Sequence, residues 1–261
     1  MENTNFENIE FTVNNGIAKI MLNRPNSLNS LNDSITNDLK SAFELCNNSS
    51  IKAVILGGNG KGFSSGGDIK LMSQLDKNPN ALNSLLDNLH SVVIQMRNLD
   101  KPIVACVNGF AFGAGFSLAL ACDFRVSGQK SSFSCAFVNI GLVPDSGASF
   151  FLTKLTGAAK ATELMMLGNT IDANTAFQIG ILNKVVEDDK VMEEAEKLAT
   201  ELSKKPSSSL SRIKKLVNRA IISDLPDQLG LEALFQSEAA KSDNFREGIT
   251  AFLQKRAPNF N

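Results

Sequence analysis

Near the N-terminus, apolar and polar positions alternate in two short runs, Phe11 to Val13 and Ile17 to Leu22, separated by Asn14-Asn15-Gly16. Period-two alternation broken by residues that tolerate positive φ predicts a β-hairpin. The period then changes. Ile35, Leu39, Ala42, Phe43 and Cys46 recur at helical spacing, which predicts an amphipathic helix from about Asn32 to Asn47. Ala53 to Leu56 is short, wholly apolar and closed by Gly57-Gly58, so it reads as a buried strand. The stretch from Leu71 to Asn80 is polar around Pro79 and reads as a mobile loop. Leu82, Leu85, Leu86, Leu89, Val93 and Met96 then mark a long helix.

Ile103 to Val107 and Phe124 to Ser127 are the next predicted strands, with a glycine-rich turn and a small-residue helix through Ala121 between them. Asp145 stands before a helical run, Ser146 to Leu155, and Asp172 before another, Ala173 to Ile179, closed by Gly180; both acids suit an N-cap. After a strand at Asn183 to Val186 the pattern is helical: Asp189 to Lys204, Ser207 to Ser223, Leu225 to Lys241 and Asp243 to Lys255. The order implies an α/β core over residues 1–190 and a helical region over 191–261.

Composition narrows the function classes. At 261 residues the chain can bury one sizeable core, and 26 basic against 27 acidic residues leave a formal charge of −1, which favours neither nucleic acid nor a membrane surface as partner. The N-terminus MENTNFENIE is no signal or transit peptide, and no apolar run approaches the roughly 20 residues of a membrane span, so a cytoplasmic location is expected. Four scattered cysteines without C-x-x-C spacing read as buried thiols, and neither a metal site nor a disulfide framework is expected. The one histidine, His90, lies on a Leu-rich helix and reads as a surface or satisfied core residue.

Candidate chemistry comes from two glycine-rich runs, FSSGGDIK (Phe63 to Lys70) and NGFAFGAGFSLA (Asn108 to Ala119). Each follows a predicted buried strand and opens a helix, where first-turn N–H groups have no intrahelical acceptor. Two such junctions converging on one point would hold a developing negative charge, such as an enolate oxygen. Other readings fit less well. GFSSG matches a serine-hydrolase elbow, but no histidine follows late in the chain. Gly113-Ala114-Gly115 lacks the third glycine of a dinucleotide fingerprint, because Leu118 stands there. In Gly57 to Gly62 the last glycine stands where a P-loop needs Ser or Thr.

The series NRPNSLNSL (Asn23 to Leu31), FSSGGDIK, KPIVACVNGFAFGAGFSLALACD (Lys101 to Asp123), IGLVPDSG (Ile140 to Gly147) and FREGITAFLQKRAPNF (Phe245 to Phe260) resembles the crotonase, or enoyl-CoA hydratase/isomerase, superfamily in order and spacing. Its IGLVPDSG and C-terminal segments look closest to the ring-epoxyphenylacetyl-CoA isomerase branch. The resemblance implies a spiral of repeated ββα units with C-terminal helices used in oligomerisation, as homotrimers or paired trimers. It implies an acyl-CoA substrate, with coenzyme A entering as part of that substrate and no prosthetic group.

By the same resemblance, the N–H groups of Gly67 and Ala114 hold the thioester oxygen. The positions of the hydratase glutamates are Ser117 and Phe137 here, so hydration is in doubt, and Asp145 becomes the candidate base of an enoyl-CoA isomerase. The alternatives are an enoyl-CoA hydratase or other family reaction, and a catalytically silent acyl-CoA-binding paralogue. Ser65, Gly66, Gly67, Asp68, Ile69 and Gly113 are expected along the substrate, with Phe110, Phe112, Phe116 and Phe137 as candidates for the acyl pocket. Arg24, Lys61, Lys101 and Lys255 are candidate cations for the CoA phosphates, and Phe252 with Lys255 match residues that reach the CoA of a neighbouring subunit. Asp68 and Asp123 also read as caps or anchors of their turns.

Overall fold

The computed structural model describes residues 6–74 and 80–260. Strands β1 (Ile9–Asn14) and β2 (Ile17–Leu22) form the expected antiparallel hairpin, turned by Asn15 and Gly16 at φ 50° and 77°. Helix α1 (Asp33–Leu45) starts at Asn32, whose side chain accepts the Ile35 N–H, and it buries Ile35, Thr36, Leu39, Ala42 and Phe43. Strand β3 (Ala53–Gly58) leads through the first glycine-rich segment to a single helical turn, α2 (Ile69–Met72), and then to α3 (Ala81–Asn98). The loop expected over Leu71 to Asn80 falls partly outside the described residues. Its described start, Leu71 and Met72, completes α2.

Strand β4 (Ile103–Val107) is followed by β5 (Phe110–Phe112) and α4 (Ala114–Ala121), then β6 (Phe124–Gly128), β7 (Ser132–Ser134) and α5 (Ala148–Leu167), which kinks at Gly157. The chain continues as β8 (Ile171–Asp172), α6 (Ala173–Gln178), β9 (Lys184–Val186) and the helices α7 (Val191–Ser203), α8 (Ser207–Ala220), α9 (Leu225–Ala239) and α10 (Asp243–Leu253). Asp172 caps α6 as expected, accepting the Thr175 N–H at 2.7 Å.

A six-stranded sheet runs β1-β2-β3-β4-β6-β9, parallel from β2 onward, and a three-stranded sheet runs β5-β7-β8. Successive units share a plan. β4 with β5, and β6 with β7, each give one strand to the long sheet and one to the short, and β3 does likewise because Ser64 bridges to Ala111 of β5. The repetition agrees with the spiral of ββα units that the sequence resemblance implies.

Alternation along each strand builds two hydrophobic layers. Val54 and Leu56 of β3 join Ile103, Ala105 and Val107 of β4 under α1, α3 and α4, whereas Ala53, Ile55, Val104 and Cys106 point to the other face. There α7 covers the sheet with a stripe of Val191, Ala195 and Ala199. The helical region expected from residue 191 therefore begins with a helix buried against the sheet. Among the described residues, no helix is long and apolar enough to cross a membrane.

Candidate functional site

Both glycine-rich segments leave the C-terminal ends of adjacent parallel strands, β3 and β4, where open α/β sheets gather their ligand sites. The first is built by its neighbours rather than by its own helix, since α2 is only one turn long. Asn29, buried and left-handed at φ 53°, donates from Nδ2 to the carbonyls of Asn59 and Gly62 at 2.9 and 3.0 Å, and its Oδ1 accepts the Arg24 N–H at 2.9 Å. The Ser64 hydroxyl donates to the Asn29 carbonyl at 2.8 Å and accepts the Gly66 N–H at 3.1 Å. Leu31 then clamps both sides of Gly67: its N–H donates to the Gly66 carbonyl at 2.8 Å, and its carbonyl accepts the Asp68 N–H at 2.9 Å. Gly67 itself donates to no group of the described chain.

The second segment interlocks with the first. A Cβ on Gly66, at φ 94°, would stand 2.8 Å from the Phe112 carbonyl oxygen and 3.3 Å from the Ala114 nitrogen; one on Gly115 would stand 2.6 Å from the Ser64 Cβ. Only glycine permits that approach. The Gly113 N–H is taken by the Ser134 carbonyl at 2.9 Å, whereas that of Ala114, first residue of α4, has no partner in the described chain. The two free amides thus belong to turns in contact, one of them at the positive end of a helix.

A cavity of about 130 Å³ lies where these turns meet. Ser65, Gly67, Gly113, Ala114, Phe137 and Asp145 line it, and the rest of its wall is apolar: Ile69, Met72, four leucines of α3, Ala136, Ile140 and Leu142. Asp145 is the only carboxylate among these lining residues. Its Oδ1 is buried without a hydrogen-bond partner. Burial holds its carboxyl above the usual Asp range, against the opposing pull of Ser146 and His90.

Several expectations are corrected. Asp145 does not cap α5: Gly147, at φ 85°, occupies the N-cap position, and no side chain caps that helix. Lys101 does not line this cavity. It precedes β4, at the end of the strand opposite the glycine turn and roughly 15 Å away by strand rise, and its Nζ donates to the Cys46 and Asn48 carbonyls at 2.5 and 2.8 Å. Of the four phenylalanines, only Phe137 lines the cavity. Phe116 is core, 5.5 Å from the ring of Phe133, and Phe110 stacks near Phe112 and covers Gly62.

Arg24 pairs with Asp68 at 3.3 Å, and Asp68 also accepts from Ser30 Oγ and the Lys70 N–H, so these two residues strap the first turn. Lys61, Phe252 and Lys255 are exposed and do not line the cavity; Phe252 is 81% exposed. Asp123 anchors β4 through the Ile103 N–H, as expected. The four cysteines are buried and free, their thiols pushed up to about 12 chiefly by burial, which makes them poor nucleophiles. Sequence reading missed Asn29 and Leu31. The Asn-rich NRPNSLNSL run carried the only hint, since Asn tolerates left-handed backbone.

A larger cavity, about 400 Å³, lies between α8 and the core, but its cations are occupied with structural partners. Arg97 pairs with Asp123, Lys214 with Asp123 and the Met96 carbonyl, and Arg125 donates to the Leu120, Cys122 and Ile181 carbonyls.

Residues 12–261 match the family model described as enoyl-CoA hydratase/isomerase. A 1,2-epoxyphenylacetyl-CoA isomerase of Escherichia coli K12 is 35% identical over 251 residues, covering 95% of this chain and 96% of the relative. A trans-2-decenoyl-[acyl-carrier-protein] isomerase of Streptococcus mutans is 31% identical, with 98% of each chain covered. Among solved structures, an enoyl-CoA hydratase from Polaromonas sp. JS666 superposes with a TM-score of 0.94 at 33% identity, covering 97% of this chain and 99% of that one.

Proposed function

The chain belongs to the enoyl-CoA hydratase/isomerase family, and from that premise we propose that it is an enoyl-CoA isomerase that shifts a double bond through a dienolate. The observation that carries this reading is the single carboxylate in the cavity, Asp145, beside two unpartnered amides, Gly67 and Ala114. Hydration by two carboxyl groups has no counterpart here, because Ser117 and Phe137 occupy the glutamate positions. Isomerisation needs one base.

In the proposed mechanism the thioester oxygen of a 3-enoyl-CoA accepts from the Gly67 and Ala114 N–H groups. Asp145 takes the α-proton. The C–H electron pair moves into the carbonyl, and the resulting dienolate is held by both amides. The protonated carboxyl then delivers the same proton to the γ-carbon, the electrons return, and a conjugated 2-enoyl thioester is left with atoms and charge balanced. Each donor supplies about 2.7–4 kcal/mol of transition-state stabilisation in such holes. The burial that raises the Asp145 carboxyl also makes its carboxylate a stronger base, and the apolar wall keeps water from competing.

Ser65, Gly66, Ile69 and Gly113 would position the thioester. Exposed Phe245, Ile249, Phe252 and Leu253 on α10 support a homotrimer, or a pair of trimers, in which Phe252 and Lys255 reach the CoA of a neighbour.

Purified protein should interconvert 3-enoyl- and 2-enoyl-CoA, with much slower 3-hydroxyacyl-CoA formation. Asp145→Asn should lower kcat by about 10²–10⁴-fold, the usual contribution of a positioned base. Undiminished turnover in that variant removes Asp145 from the mechanism, and rapid hydration overturns the isomerase reading.

A further inference from the structure

Every residue of α4 is buried, and its sequence, AGFSLALA, contains one polar side chain, Ser117. A hydroxyl inside an apolar helix is expensive to desolvate unless it is hydrogen-bonded, and alanine would favour the helix more. Ser117 lies one turn after Ala114. Its Oγ is 3.3 Å from the Gly113 carbonyl on its own helix and 3.0 Å from the Asp145 carbonyl on a different element. The single hydroxyl proton serves one acceptor at a time, and the bond to Asp145 is the shorter.

The Asp145 turn needs such a tether. Ser146 and Gly147 follow in left-handed backbone at φ 50° and 85°, and the Ser146 hydroxyl has no partner. The Asp145 carbonyl also accepts the Ala148 N–H at 3.0 Å, a bond within the turn itself. Among the described residues, Ser117 supplies the only side-chain hydrogen bond from another element to residues 142–147.

We propose that Ser117 is a positioning residue: its hydroxyl ties the main chain of Asp145 to the first turn of α4, fixing the base relative to the Ala114 amide. The proposal rests on the reading of Asp145 as the base. It gives a role to the hydroxyl where related hydratases carry a glutamate: here the side chain grips the base's backbone instead of acting on substrate.

The test is a graded series measured with a 3-enoyl-CoA across pH. Misplacement of a reacting group by about 1 Å costs on the order of 10²-fold, so Ser117→Ala should lower kcat by about 10- to 100-fold with KM within about twofold. Ser117→Cys, similar in shape but a weaker donor, should fall between. In Ser117→Ala the acid limb of the pH–kcat profile should also move to lower pH, because a loosened carboxylate gains water. A thermal melt accompanies each variant. Lower melting temperature with parental kcat and an unmoved acid limb means a structural hydroxyl, and overturns the proposal, as does a Cys variant slower than Ala. The control is Asp145→Asn. If it is inactive while Ser117→Ala matches the parent, only the positioning role fails; if it is active, the base assignment fails and the tether with it.

Discussion

Around Gly67, bonds from three segments hold the turn: Asn29, Ser64 and Leu31 alone contribute seven, and the contact of Gly66 with the second turn leaves no room for a Cβ. Around Asp145, one side-chain hydroxyl from another element holds a left-handed turn, and one carboxylate oxygen, Oδ1, is buried without a hydrogen-bond partner. Amides that must receive a negative charge gain from redundancy, since any wobble weakens both donors together. On the proposed mechanism, a base that gives and takes a proton at two carbons gains from a carboxylate with few bonds to break. The difference separates rigidity of the hole from freedom of the acid.

The largest expected effect on this contrast comes from Gly66→Ala, which forces a side chain onto a backbone at φ 94° and against the Phe112 carbonyl. It should displace both donors and lower kcat by about 10²–10³-fold, with KM as the second readout; a near-parental rate would show that the turns yield more than their packing suggests. Next, Asn29→Ala removes three side-chain hydrogen bonds, one of them buried and two partly buried, and a residue suited to φ 53°. Urea unfolding should show a loss of about 2–4 kcal/mol. A loss below about 0.5 kcal/mol would mean the first turn does not depend on this residue.

A subtler probe is pH. If Asp145 is the proposed base it must be ionised to accept a proton, and burial raises its carboxyl, so kcat should rise with pH through a value above the ordinary Asp range. An acid limb at or below that range would contradict the buried state of the carboxylate. The smallest effect is Arg24→Ala. Its ion pair with Asp68 is partly exposed at 3.3 Å, so stability should change by about 1 kcal/mol or less. A large rise in KM for CoA substrates would show that Arg24 also meets the phosphates.

Much of the frame was legible because it is periodic. The hairpin, α1, the buried strands before each glycine run and the helices after residue 190 all follow from spacing. Strands β5, β7 and β8 were not legible: two or three residues show no period, and their pairing is set by the units they join. Asp145 resembles a cap in sequence, yet the left-handed Ser146-Gly147 pair intervenes and moves the helix start to Ala148. Lys101 lies away from the cavity for a topological reason, since a motif's residues can lie at opposite ends of one strand. The convergence of the two glycine runs was legible as chemistry; the residues that enforce it, Asn29 and Leu31, act through backbone geometry that composition does not display.

Because the Gly67 and Ala114 donors are main-chain atoms, no ordinary codon change at position 114 deletes its hydrogen-bonding group; proline apart, every substitution keeps the nitrogen's proton. Side-chain scanning is therefore blind to half of this centre. Semisynthesis with an ester linkage in place of the 113–114 amide would erase one donor while leaving every side chain in place, and would weigh that single proton directly.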